Sequence, residues 1–230
     1  MPSAHPHAFS LSHGNALGPF GIPMPDEAAF ALERILKSLG SSRRPSPRRC
    51  SLAASAPLPC QRADISWITE ESIDRMGDIV LAGGMDDSLY GKNPVVTYNH
   101  RYDLPPAGLS VWREHADEGA MRGVRAKTIY PSRPATLAAA EGWMPDPVFA
   151  LVQAGLLAGK SIGFLPLQSR EPSREELQRN PRLKNARLVI EQWLLLEYAC
   201  CAFPAQPNAL VEQVASPEGN EFPVLSPYPD

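Results

Sequence analysis

At 230 residues, with 43% hydrophobic and 7% aromatic composition, the chain can bury one core of useful size but hardly two, so one compact domain with flanking segments is expected. A net charge of -3 and a pI near 6.0 supply no basic field to hold a nucleic-acid backbone, which argues against nucleic acid as a main partner. The four cysteines match neither a CxxC metal spacing nor a disulfide framework, the N-terminus lacks a signal-peptide pattern, and no apolar run reaches membrane-spanning length, so a soluble protein of the reducing cytoplasm is expected, with no membrane partner.

Proline punctuates the chain: nine of 25 lie in residues 1 to 62, four in 215 to 230, and twelve in the 152 residues between. The predicted compact domain is therefore 63–214, between a mostly disordered leader (1–62) and a disordered tail (215–230). Inside the leader only Asp26 to Leu39 has helical spacing, with Ala29, Phe30, Leu32, Ile35, Leu36 and Leu39 recurring behind the cap candidate Asp26. The basic, proline-broken stretch from Arg43 to Arg49 reads as a solvated tether.

The central region reads mainly as strands in an antiparallel, strongly bent sheet. Ile65 to Thr69, Pro94 to Tyr98 and Ala120 to Lys127 carry β-branched or alternating patterns. Pro147 to Ala154 is the one good central helix, with Gly155 as its stop. Ser169 to Asn185 is charged and predicts an exposed loop or short surface helix. Leu188 to Phe203 is long and apolar on both faces, which predicts the central strand of the core.

Acyl transfer by a serine needs a hydroxyl, a base within hydrogen-bond reach, and donors for the oxyanion. His100 ends the run Val95-Val96-Thr97-Tyr98-Asn99 and precedes a turn-rich stretch, where a side chain can stand at a cleft rim. Ser161 lies in Gly159-Lys160-Ser161-Ile162-Gly163-Phe164, whose small residues let a substrate backbone approach and whose Gly163 admits amide orientations that a side chain would block. By themselves these residues read as a surface turn histidine and an ordinary strand serine beside a bend.

Four segments in order change that reading: Asp74-Arg75-Met76-Gly77-Asp78-Ile79-Val80, Lys92-Asn93-Pro94-Val95-Val96-Thr97-Tyr98-Asn99-His100, Gly159 to Phe164, and Leu195-Leu196-Glu197-Tyr198 followed by Pro204-Ala205-Gln206-Pro207-Asn208-Ala209. Over most of residues 64 to 214 the chain resembles the tailed-phage prohead serine protease family. The resemblance implies an α+β, mainly β fold, a small bent antiparallel β-barrel with peripheral helices similar to the herpesvirus capsid-maturation protease. It implies His100 as general base and Ser161 as nucleophile, with no cofactor. It further implies cleavage of scaffold, of the capsid protein's scaffolding segment, or of the protease itself. The expected partners are phage scaffold and major capsid proteins, with self-association, inside the procapsid in the host cytoplasm. The C-terminal segment is too short for a fused scaffold, which points to a separate one, and self-cleavage could remove the leader. A non-catalytic assembly module on the same fold is the rival reading.

Glu197 is the preferred third catalytic residue. It matches an acidic position of the family's last core strand, and a carboxylate in so apolar a strand requires a partner such as His100 or an arginine. His115 is the second candidate, since the herpesvirus relatives use a second histidine, but in the hydrophilic stretch Arg113 to Gly119 it reads as a hairpin-loop histidine; Asp103, the third candidate, reads as a turn residue bonding its own backbone. Asp74 to Asp78 has two carboxylates four apart but no further ligands at calcium or zinc spacing, so it reads as a structural turn and no metal is expected. Cys200 and Cys201 read as core, where a thiolate is disfavoured, and His5, His7 and His13 as passengers of the leader.

Overall fold

The computed structural model describes residues 62–215, apart from 120, 139, 140 and 180, together with 221–223. The leader helix at 26–39 and the basic tether at 43–49 lie outside these residues. The strands are β1 (Ala63–Glu70), β2 (Asp78–Val80), β3 (Met85–Asp86), β4 (Val95–Tyr98), β5 (Gly108–Glu118), β6 (Met121–Ile129), β7 (Gly159–Arg170), β8 (Leu188–Cys201), β9 (Val211–Ala215) and β10 (Glu221–Pro223). Two α-helices, α1 (Pro145–Gln153) and α2 (Arg174–Arg179), lie between β6 and β8. The protein is thus mainly β. β10 pairs with β9, so the segment beyond residue 215, read from its prolines as a tail, contributes a strand.

The sheet runs β10-β9-β1-β6-β5-β4-β8-β2, with β3 and β7 also on β8. It is mixed rather than antiparallel, and its path ends at β10 and β2 without closing into a barrel. The reason lies in β8. Its 14 residues accept β7 antiparallel along one edge, while β2, β3 and β4 follow one another along the other edge, all parallel to β8. Those three strands are successive pieces of one path, broken by 3-10 turns at Ala82–Gly84 and Tyr90–Lys92, so all three must run the same way.

Strand β8 is apolar because it is buried on both faces, as its continuous hydrophobic run suggests. Ile190, Trp193, Leu195, Tyr198 and Cys200 join Ile68, Val96, Val124, Val148 and Ile162 in the core. Trp193 is fully buried and satisfies its indole N–H on the Leu81 carbonyl at 2.8 Å. Side chains of this size each favour the folded state by about 1.5–3 kcal/mol through burial alone.

Helix α1 starts two residues earlier than the apolar spacing indicates, with Pro145 and Pro147 in its first turn, where a missing N–H leaves no bond unmade. It ends at Gly155, whose φ of +71° is the left-handed stop that glycine makes without strain, and Leu156 and Leu157 both donate back to Leu151. The charged stretch after β7 forms the exposed helix α2, as its composition suggests, and strand β7 itself continues to Arg170.

Candidate active site

The site is built on one face of β4, β8 and β7. Thr97 on β4 pairs with Ala199 on β8, Ala199 pairs with Ser161 on β7, and Gly163 pairs with Glu197. Side chains alternate along a strand, so Thr97, Glu197, Ala199, Ser161 and Gly163 share a face, while Tyr198, Cys200, Lys160 and Ile162 point the opposite way.

His100 reaches this face through a backbone that L-residues seldom adopt. Asn99 and His100 have φ of 49° and 54°, two consecutive left-handed residues just past the end of β4. Asn99 tolerates this conformation better than most residues and is tied down on both sides: its N–H donates to Cys200 at 2.9 Å and its side-chain oxygen accepts from Ala202 at 3.3 Å. The turn reverses the chain, and the imidazole, with only 10% of its surface exposed, comes to lie against Glu197.

Nδ1 of His100 lies 2.6 Å from Oε1 of Glu197, and Thr97 Oγ1 donates to Oε2 at 2.6 Å. Against a carboxylate acceptor Nδ1 carries a proton, so in the neutral imidazole the lone pair sits on Nε2, which is also withdrawn from solvent. Glu197 is 7% exposed in its side chain, so this is a buried carboxylate with two short donors, and the partner is His100 rather than an arginine. Tyr102 stands beside it. Although 70% exposed overall, its hydroxyl is pushed up to about 12, first by desolvation and then by the negative charge of Glu197.

Ser161 is 1% exposed, and its Oγ accepts a hydrogen bond from the backbone N–H of Ala205 at 3.4 Å. That amide belongs to the segment after β8, which the Asp74 to Asp78 turn clamps in place. The N–H of Arg75 donates to the Ala205 carbonyl at 2.8 Å, its guanidinium donates to the Pro204 carbonyl and lies 4.2 Å from the ring centroid of Phe203. Asp74 closes its own turn by accepting from Met76 and Asp78 at 2.8 and 2.9 Å, and Arg187 pairs with Asp78 at 2.8 Å. The structural reading of this motif therefore holds, and the turn also abuts the backbone beside Ser161.

On the opposite face Lys160 is buried with Asp64, its Nζ 2.8 Å from Oδ2, 3.1 Å from Tyr130 Oη and 3.2 Å from Cys200 Sγ. Burial works against the ammonium, but the charge of Asp64 and its neighbours outweigh it and raise its pKa above the ordinary lysine value. Lys160 adjoins Ser161 in sequence, yet it is a charged structural group facing away, not a neutral amine poised to act as base.

Two of the weighed alternatives lie elsewhere. His115 is not in a hairpin loop: it sits within β5 opposite Val124, exposed, because the charged stretch continues as strand and the reversal comes only at Gly119, φ +62°. Asp103 does bond its own backbone, as a turn residue does. It makes a two-point ion pair with exposed Arg101, at 2.7 and 2.6 Å, which holds its carboxyl down at about 2. Gly163 also differs from its sequence reading. Its φ is not left-handed; instead a Cβ there would lie 2.2 Å from Oε1 of Glu197. Sequence reasoning missed Thr97 and the Ala205 amide. A hydroxyl inside the apolar run Val95 to Tyr98 was the available signal for Thr97, whereas a backbone donor leaves none.

Comparison with protein-family models finds no match, and neither a search of curated proteins nor one of solved structures finds one.

Proposed function

We propose that this protein is a serine endopeptidase of the prohead-maturation type, with Ser161 as nucleophile, His100 as general base and Glu197 as the carboxylate that orients it. The observation that carries the reading is the buried 2.6 Å contact between His100 Nδ1 and Glu197, on the sheet face that also presents Ser161. A base held by a carboxylate through one ring nitrogen offers the other for proton transfer, the arrangement serine acyl transfer needs. In the reaction Nε2 takes the Ser161 proton as Oγ attacks the peptide carbonyl, and the imidazolium returns it to the leaving amine. Water, activated by the same histidine, then frees the acyl-enzyme. The Ala205 N–H, which donates to Oγ at 3.4 Å, is the candidate donor to the oxyanion in this reading.

The substrate class follows from the family resemblance: phage scaffold or the scaffolding segment of the capsid protein, cut within the procapsid in the host cytoplasm, with self-association there. On this reading the mixed sheet around β8 is a relative of the herpesvirus capsid-protease barrel. No helix among the described residues is long and apolar enough to cross a membrane.

The test is co-expression of the wild type, or of Ser161→Ala, with the adjacent capsid and scaffold proteins, following their masses over time. Cleavage by the wild type alone is expected, since loss of the nucleophile costs about 10⁶ in turnover. Equal processing by both would remove Ser161 from the mechanism, and unprocessed but assembled shells in both cases would favour an assembly module.

A further inference from the structure

Glu197 carries its carboxylate on a flexible side chain, yet both of its oxygens are committed. Oε2 accepts from Thr97 Oγ1 at 2.6 Å and Oε1 faces His100 Nδ1 at 2.6 Å. The space that Oε1 occupies exists because residue 163, directly across the β7 and β8 pair, has no side chain. A Cβ at Gly163 would lie 2.2 Å from Oε1, 3.1 Å from Cδ and 3.4 Å from Cγ. The β7 and β8 register shifts between Gly163 and Phe164, so this is also where the pairing is least regular.

We propose that Thr97 and Gly163 are positioning residues of the active site: one anchors the far oxygen of Glu197, the other vacates the seat of the near oxygen, and together they fix the carboxylate that orients His100. This rests on the reading of Ser161, His100 and Glu197 given above. Neither residue touches the reacting atoms. The effect passes through the Glu197 carboxylate, and misplacing a catalytic group by about 1 Å can cost about 10²-fold in rate.

The experiment uses the full chain as wild type, Gly163→Ala, Thr97→Val and Thr97→Ser. One arm records the strongly deshielded proton NMR signal of a histidine N–H bonded to a carboxylate, assigned by its absence in Glu197→Gln. The other measures the rate at which a fluorophosphonate acylates Ser161, with circular dichroism as the check on folding. Gly163→Ala and Thr97→Val are expected to lose or shift the signal and to slow acylation about 10²-fold, while Thr97→Ser restores both. A merely structural role for Thr97 would leave the signal in place in Thr97→Val, which is nearly isosteric and keeps the inference testable if Gly163→Ala does not fold. An unchanged signal with acylation within about twofold of wild type in either folded variant would overturn the proposal. A wild type inert to the fluorophosphonate would instead count against the hydrolase reading, and the NMR arm would still decide whether Thr97 and Gly163 hold the His100 and Glu197 pair.

Discussion

Gln in place of Glu197 keeps the shape of the side chain but can turn an amide N–H toward Nδ1, which forces the imidazole into the other tautomer. A change of this kind costs about 10⁴ in turnover where a carboxylate orients the base, so Glu197→Gln is expected to acylate about that much more slowly. His115→Ala and Asp103→Asn should stay within about twofold of wild type, because one side chain is exposed on β5 and the other is paired with Arg101. Titration with a serine-directed probe separates these outcomes. A large loss in His115→Ala would reinstate the second histidine as the orienting group and displace Glu197.

At the scale of the element, β7 does two jobs by alternation. Ser161 and Gly163 face the site while Lys160 enters the core and meets Asp64, both side chains fully buried. Breaking a buried pair by removing one partner strands the other charge, so Lys160→Met should lower stability by about 3–5 kcal/mol, measured by urea titration, and Lys160→Met with Asp64→Leu should recover most of it. Alternation also explains what was legible beforehand. The strands at β1, β4, β6 and β8 and the helix α1 follow from hydrophobic pattern and stop residues, and His100, Ser161 and Glu197 stand out once the ordered segments are seen together. The parallel run of β2, β3 and β4 along β8 was not legible, since period-two patterning says nothing of strand direction. Nor was His115's place within β5: a hairpin exposed on one face to solvent can be as charged as a loop, and only the glycine at 119 marks the reversal.

For the whole molecule, the core beneath the sheet carries ionisable groups held in one protonation state. Burial raises Cys200 above its ordinary 9.0, Tyr130 well above 10.0, and the net of burial and Asp64 raises Lys160 above 10.5. Each therefore deprotonates at lower pH in the unfolded chain than in the folded one. The stability they contribute is complete below about pH 9, the lowest of these unfolded values, and is lost as the pH rises further. The urea midpoint should be level around neutrality and fall above that point, and a decline setting in well below it would contradict this account. In the same state Cys200 and Cys201, the latter pushed up to about 12 by burial, should resist iodoacetamide at pH 8 and become alkylated in urea, with peptide mapping to distinguish them from Cys50 and Cys60.

The adjacency of Lys160 and Ser161 has a consequence for genetics. If the proposed hydrolase reading holds, a saturation screen scored by cleavage would rank Lys160, Asp64 and Ser161 together as intolerant positions, and neighbouring intolerant residues invite assignment to a single serine and lysine dyad. The alternation of β7 separates them: variants at Ser161 should accumulate as folded, inert protein, whereas those at Lys160 or Asp64 should be cleared from the cell. Abundance, read alongside activity, distinguishes two classes of null allele that the linear map places side by side.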